Sequence, residues 1–244
     1  MQRAIRIIAL VLAIGFFGFL VVSAMVSSNN NAREVWNEAM TLGDRETAKH
    51  YYYDYTDIMC PYCDKFANAV AAHQEEFERD YIQDKNIFFE VRLTDILYVY
   101  HKDEHEGAIN SRNAALNAYC AADQGYFWEY YHGILAKLYA DYHSKGIGVD
   151  QYSEHIPKLE DSYFRSVAKE IDSLDYDRYK SCVINEDKAD ELDKNTQRAA
   201  KITPSGVPYF VFDKYTTNGF LGKWDAENYD WEQAKILLDA GLSK

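Results

Sequence analysis

Two cysteines separated by two residues, Cys60-Pro61-Tyr62-Cys63, follow the aromatic run His50-Tyr51-Tyr52-Tyr53-Asp54-Tyr55-Thr56-Asp57. Thiols at this spacing can close a small disulfide ring and open it again, so the chemistry on offer is reversible thiol–disulfide exchange. Proline is tolerated at the first helical position, where its missing N–H costs nothing. Cys60 then falls at the N-cap, with Phe66, Ala67, Val70 and Ala71 continuing an apolar helical stripe. A thiolate there accepts orphan backbone N–H groups and feels the positive end of the helix dipole. Cys60 is therefore expected to attack and Cys63, one turn on, to resolve. Two other readings of the pair are half of a zinc site and an inert structural disulfide. Zinc needs four ligands, and the other cysteines, Cys120 and Cys182, stand alone and far apart.

Such a pair needs a strand before it and a helix after it. Tyr51–Tyr55 reads as a strand, Cys60 to about Asp80 as a helix, and Ile87–Leu93 as a second strand. Strand, long helix and strand make a βαβ unit with parallel pairing and a right-handed crossover. From about Glu106 to Lys201 the pattern is helical: Ala114, Leu116, Tyr119 and Cys120 share a face, then Phe127, Trp128, Tyr131, Ile134 and Leu138. Strand character returns at Val207–Phe212, followed by a turn over Asp213–Asn218 and a hairpin partner at Gly219–Gly222. Asp230 is placed to cap a final helix, Trp231–Ala240, with Gln233 in the capping-box position. The order predicts an α/β thioredoxin fold in which a helical subdomain is inserted between the βαβ and ββα halves.

The chain ends and composition set the location. Arg3 and Arg6 precede an uncharged apolar stretch from Ile7 to Val22 that continues weakly to Val26. About 20 apolar residues span a bilayer as a helix, and the basic residues keep that end in the cytoplasm. Residues 1–26 are thus expected to be a transmembrane anchor, with a cleaved signal peptide ending near Val22-Ser23-Ala24 as the alternative. Residues 27–46 would hold a polar tether and an N-terminal helix over Ala32–Leu42, and residues 47–244 the folded domain, with its insertion at about 106–201. A net charge of −13 and a pI near 4.9 exclude nucleic acid as a partner on electrostatic grounds. His101 and His105 are spaced to share a metal on a helix, but their neighbours Lys102, Asp103 and Glu104 read as a solvated face.

The chain resembles the DsbA-like family of exported thiol oxidoreductases. The resemblance rests on Tyr-Thr-Asp-Ile-Met-Cys-Pro-Tyr-Cys at residues 55–63, on the segment Cys120–Tyr130, and on Gly206-Val207-Pro208. It implies that Pro208 is a cis-proline beside Cys60 and Cys63, and that Val207 offers backbone hydrogen bonds to an extended substrate. Pro61 and Tyr62 would complete that surface. Asp54 would be a buried acid relaying the proton of the resolving thiol, while Asp57 reads as a solvated or capping residue. The implied activity is disulfide exchange with exported cysteine-containing proteins, most readily as oxidant, without a cofactor and with recharging by a membrane quinone-linked partner. Pro-Tyr between the cysteines also occurs in glutaredoxins, which reduce, so a reductase or isomerase of the same fold stays open, as does an anchored binding module. Cys120 and Cys182, both in the insertion among apolar neighbours, are expected to form a structural disulfide in an oxidising compartment, the alternative being two buried thiols. Paired cysteines in this subdomain of some family members add to that expectation.

Overall fold

The computed structural model of the protein describes residues 34–150, 152–203, 206–213, 216–218 and 231–243. Among these residues, five strands form one mixed sheet: β1 (Thr41–Leu42), β2 (His50–Thr56), β3 (Ile87–Leu93), β4 (Tyr209–Val211) and β5 (Thr216–Asn218). The spatial order is β1-β3-β2-β4-β5. Only the β2–β3 pair is parallel, with Asp54 opposite Val91; β1 runs antiparallel to β3, and β4 antiparallel to both β2 and β5. The crossover from β2 to β3 runs through α1 (Pro61–Ala72), a short α2 (Gln74–Phe77) and a π-helical turn, Glu78–Asp84.

Between β3 and β4 the chain is helical. A short α3 (Ile96–His101) leads to α4 (Ile109–Ala122) and α5 (Phe127–Asp141), then α6 (Asp161–Ala168), α7 (Tyr176–Ile184) and α8 (Ala189–Ile202). The chain closes with α9 (Trp231–Leu242). Small side chains let these helices approach closely: Ala114, Ala115, Ala118 and Ala121 of α4 are fully buried, against Phe127, Ile134 and Leu138 of α5 in the same apolar core. A disulfide between Cys120 and Cys182 ties α4 to α7, with their Cα atoms 5.9 Å apart.

Side chains alternate across a strand, so Asp54 and Thr56 share one face of β2 while Tyr53 and Tyr55 share the other. The first face packs on α1, where the Phe66 ring meets Phe210 of β4 at 4.8 Å. On the second, Arg92 is fully buried, with Glu90 at 3.0 Å, the Tyr55 hydroxyl at 2.6 Å and the Tyr53 ring at 3.9 Å. A buried guanidinium requires such compensation.

Four sequence expectations need correction or fall outside this description. Residues 34–42 do not form a helix: Glu38–Met40 is a single 3-10 turn capped by the Asn37 side chain. Thr41 and Leu42 pair instead with Glu90 and Phe89, because the edge of β3 supplies backbone partners. The helix expected from Cys60 to Asp80 breaks at His73, whose backbone leaves the helical region while its ring stacks on Trp231 at 5.2 Å. The hairpin partner of β4 starts at Thr216, earlier than expected, and Gly219–Gly222 and Asp230 lie outside the described residues. The expected anchor at residues 1–26 also lies outside them; among the described residues no helix is long and apolar enough to cross a membrane.

Candidate active site

β2 ends at Thr56, and the turn that follows is anchored by Asp57. This side chain, expected to be solvated or capping, is fully buried. Its carboxylate accepts from the backbone N–H of Met59 and of Leu97, both at 3.0 Å, and from the Ser111 hydroxyl at 2.6 Å. Burial pushes its pKa up to about 6 against the opposing pull of those three bonds. Asp57 thereby fastens the cysteine turn to α3 and α4. Its capping role is real; its solvation is not.

Cys60 occupies the N-cap of α1 with extended backbone, and its carbonyl accepts the N–H of Asp64 at 2.9 Å. Pro61 takes the first helical position, as its fixed φ favours. The thiol does not cap the helix as expected. It donates instead toward the Val207 carbonyl at 3.6 Å. Gly206 supports this approach with φ of +91°, a conformation that favours glycine, and the Val207–Pro208 bond that follows is cis. The Val207 carbonyl, expected to face substrate, is thus engaged by the thiol in this state.

Cys63 is also a free thiol, and it is more deeply buried, at 1% exposure. Burial pushes its pKa well up, reinforced by the hydrogen bond with Cys60 and by the nearby Asp54 carboxyl. Asp54 is itself 2% exposed, and burial raises its pKa to about 8. Next along α1, Asp64 is buried and paired with His143 at 2.5 Å and with Asn68. Burial raises its pKa, and His143 holds it back.

Beside the cysteines lies a groove of about 460 Å³. Met59, Cys60, Pro61 and Tyr62 form one wall, and Leu97, His105, Val149 and Ile156 contribute to the others. The loop carrying Ile156 is held tightly against the start of α4, because Gly107 leaves no room for a side chain: an added Cβ would lie 2.0 Å from the Ile156 carbonyl oxygen. His101 and His105 belong to this rim, with their rings stacked at 6.3 Å. His101 contacts Glu104 at 2.6 Å, while His105 stacks on His155 at 4.3 Å.

Of the residues singled out from sequence, Asp54, Cys60, Cys63, Pro61, Tyr62 and Val207 come together in one place, with Pro208 following directly. Cys120 and Cys182 lie elsewhere, bonded to each other, so neither sulfur can serve Cys60 and Cys63 as a shared metal ligand. Sequence reasoning gave Thr56 and Tyr131 no role at the site, although the spacing of Tyr131 marks it as core, and it missed Asp64 and His143, which α1 and the helical insertion bring together only on folding.

A family model described as Thioredoxin matches residues 37–240. Oxidised BdbD from Bacillus subtilis has a similar structure, with a TM-score of 0.55 at 16% identity, covering 84% of this chain and 93% of that one. The catalytic domain of Proteus mirabilis ScsC gives 0.55 at 16%, covering 90% and 97%. Chlamydia trachomatis DsbA gives 0.51 at 13%, covering 82% and 90%. No curated protein matches the sequence. With the Cys-Pro-Tyr-Cys turn at the head of α1 and the Val207 carbonyl facing its first thiol, the chain belongs to the thioredoxin family and has the DsbA-like fold of thiol–disulfide oxidoreductases.

Proposed function

We propose that the protein exchanges disulfides with cysteine-containing proteins through Cys60 and Cys63, acting as their oxidant. The observation that carries this reading is the asymmetry of the pair. Cys60 sits at a helix N-terminus and on the groove, whereas Cys63 is sealed in the core next to an acid. Starting from the oxidised pair, a substrate thiolate attacks Cys60 Sγ. A substrate–Cys60 disulfide forms, the Cys60–Cys63 bond breaks, and Cys63 leaves as a thiolate that takes up a proton. The substrate's second thiolate then attacks its own bridged sulfur and releases Cys60, so the substrate gains a disulfide and the enzyme holds two reduced cysteines. Cys60 is released at the N-cap of α1, the positive end of that helix. A stabilised reduced form makes the oxidised form a stronger oxidant.

The domain assignment follows: residues 1–26 as anchor or signal, 27–46 as tether and entry segment, and 47–244 as the catalytic domain, outside the cytoplasm. The Cys120–Cys182 disulfide supports export, since such bonds persist in oxidising compartments. Recharging falls to a membrane quinone-linked partner, and Val207, Pro208, Pro61 and Tyr62 line the substrate path.

Two measurements test this. Cys60→Ser should abolish oxidation of a reduced model substrate, while Cys63→Ser, mixed with the same substrate in its disulfide form, should accumulate a mixed disulfide as its Cys60 thiolate opens that bond. Wild-type rates in the first variant would refute the mechanism. The potential of the Cys60–Cys63 couple should lie nearer the about −120 mV of strong oxidants than the about −270 mV of cytosolic reductants. A value at the low end would assign the protein to disulfide reduction.

A further inference from the structure

The core beneath Cys63 holds more polar groups than it satisfies. Asp54 Oδ1, Thr56 Oγ1 and the Tyr131 hydroxyl are buried, and among the described residues none completes a well-formed hydrogen bond. Buried polar side-chain atoms are normally paired, so three orphans in one place call for a reason. They converge on one thiol. The Thr56 hydroxyl faces both Cys63 and the Tyr131 hydroxyl, and the Asp54 carboxyl and Cys63 both act electrostatically on Tyr131. Asp54 and Thr56 lie two residues apart on β2 and so share a face. Tyr131 arrives from α5, which packs on α1. Strand, active-site helix and helical insertion meet at this point.

We infer that Thr56 and Tyr131 hold the Cys63 thiol in place on a proton path from that thiol to Asp54. Both are positioning residues: the Thr56 hydroxyl holds the Cys63 sulfur, and Tyr131 orients the Thr56 hydroxyl. The inference rests on the exchange reaction proposed above. When Cys63 resolves a mixed disulfide, its Sγ attacks Cys60 Sγ and the Cys60–Cys63 bond forms. The bond from Cys60 to the departing sulfur breaks, and that sulfur leaves as a thiolate with the electron pair. The Cys63 proton passes to the Asp54 carboxylate, which acts directly on this thiol. In the reverse direction the same proton returns to Cys63. A hydroxyl both donates and accepts, so Thr56 can serve the Cys63 sulfur and the Tyr131 hydroxyl at once. Burial lifts the proton affinity of Asp54 into the range where it can hold and release that proton near neutral pH. The other titratable groups facing this cluster are Cys60, and Asp64 paired with His143.

The full chain with its Cys60–Cys63 pair reduced can be mixed with the aromatic disulfide 5,5′-dithiobis(2-nitrobenzoate). Attack by Cys60 releases the first thionitrobenzoate, and resolution by Cys63 releases the second, so the two thiols report in separate phases. Tyr131→Phe and Thr56→Val should leave the first phase and its pH profile unchanged. Each should slow the second phase by roughly tenfold, the loss of one hydrogen bond to the developing thiolate, and move its pH midpoint upward. Thr56→Ser should restore the wild-type profile, and the Thr56→Val, Tyr131→Phe double variant should be no slower than Thr56→Val. A second phase with the wild-type profile in both single variants would overturn the path. Absence of a second phase in the wild type would instead defeat the exchange reading and the path with it.

Discussion

Replacing Asp54 by asparagine should flatten the dependence of stability on pH. Asp54 is almost inaccessible, and burial raises its pKa from 3.8 to about 8. Its folded form is therefore protonated where the unfolded chain is ionised, and folding takes up a proton throughout that window. Stability carried by this group is complete below the unfolded value and is lost as the pH rises toward about 8. The slope is about 1.4 kcal/mol per pH unit, so from about pH 5 to about pH 7.5 wild type should lose about 3 kcal/mol that Asp54→Asn keeps. Asp57, also raised, is present in both proteins and cancels in the difference. Urea unfolding of the two proteins with Cys60 and Cys63 reduced, compared at these pH values, measures the effect. Parallel stability curves would show that Asp54 is ionised in the folded protein, and the argument for a buried proton acceptor would fall with them.

Removing the Cys120–Cys182 bridge by a double alanine change should destabilise the protein by about 4 kcal/mol, the chain entropy of a 62-residue separation, as read from urea unfolding. Asp57→Ala strips three donors of their shared acceptor, so a loss of about 3 kcal/mol or more is expected in the same assay. Gly107→Ala must displace the Ile156 carbonyl and with it one wall of the groove. It should raise the KM for peptide substrates several-fold or more while leaving the reaction of Cys60 with a small aromatic disulfide at its wild-type rate; unchanged peptide kinetics would mean that the groove does not hold substrate.

What could be read from the chain was local. Proline between the cysteines marks a helix start by itself, and alternating strand and helix patterns separate the βαβ half, the helical insertion and the ββα half. Properties set by distant partners could not be read. Asp57 looks like a surface residue because its donors, Leu97 and Ser111, lie 40 and 54 positions away. His73 continues a helical pattern, and only Trp231, from the far end of the chain, reveals why the helix stops there. The segment before Leu42 has helical spacing too, but the open edge of β3 recruits its last two residues. Tyr131 is one of 21 tyrosines, and its apolar spacing on α5 marks it as core without distinguishing its hydroxyl.

The placement of the two thiols argues for a division of labour. Cys60 faces the groove and the Val207 carbonyl, where an incoming sulfur must arrive. Cys63 faces Asp54, Thr56 and Tyr131, where no substrate reaches but a proton can be held. Leaving polar groups unpaired in a core is costly, and natural cores rarely tolerate it. Here the orphaned groups sit behind the resolving thiol, and the helical insertion both covers them and contributes one of them. A bare βαβ–ββα core would leave the Asp54 side of α1 open to water, and solvation would return the acid to its ordinary range. The insertion therefore does more than wall the groove: by helping to dry the space behind Cys63, it supports the raised proton affinity of Asp54 on which the proposed transfer depends.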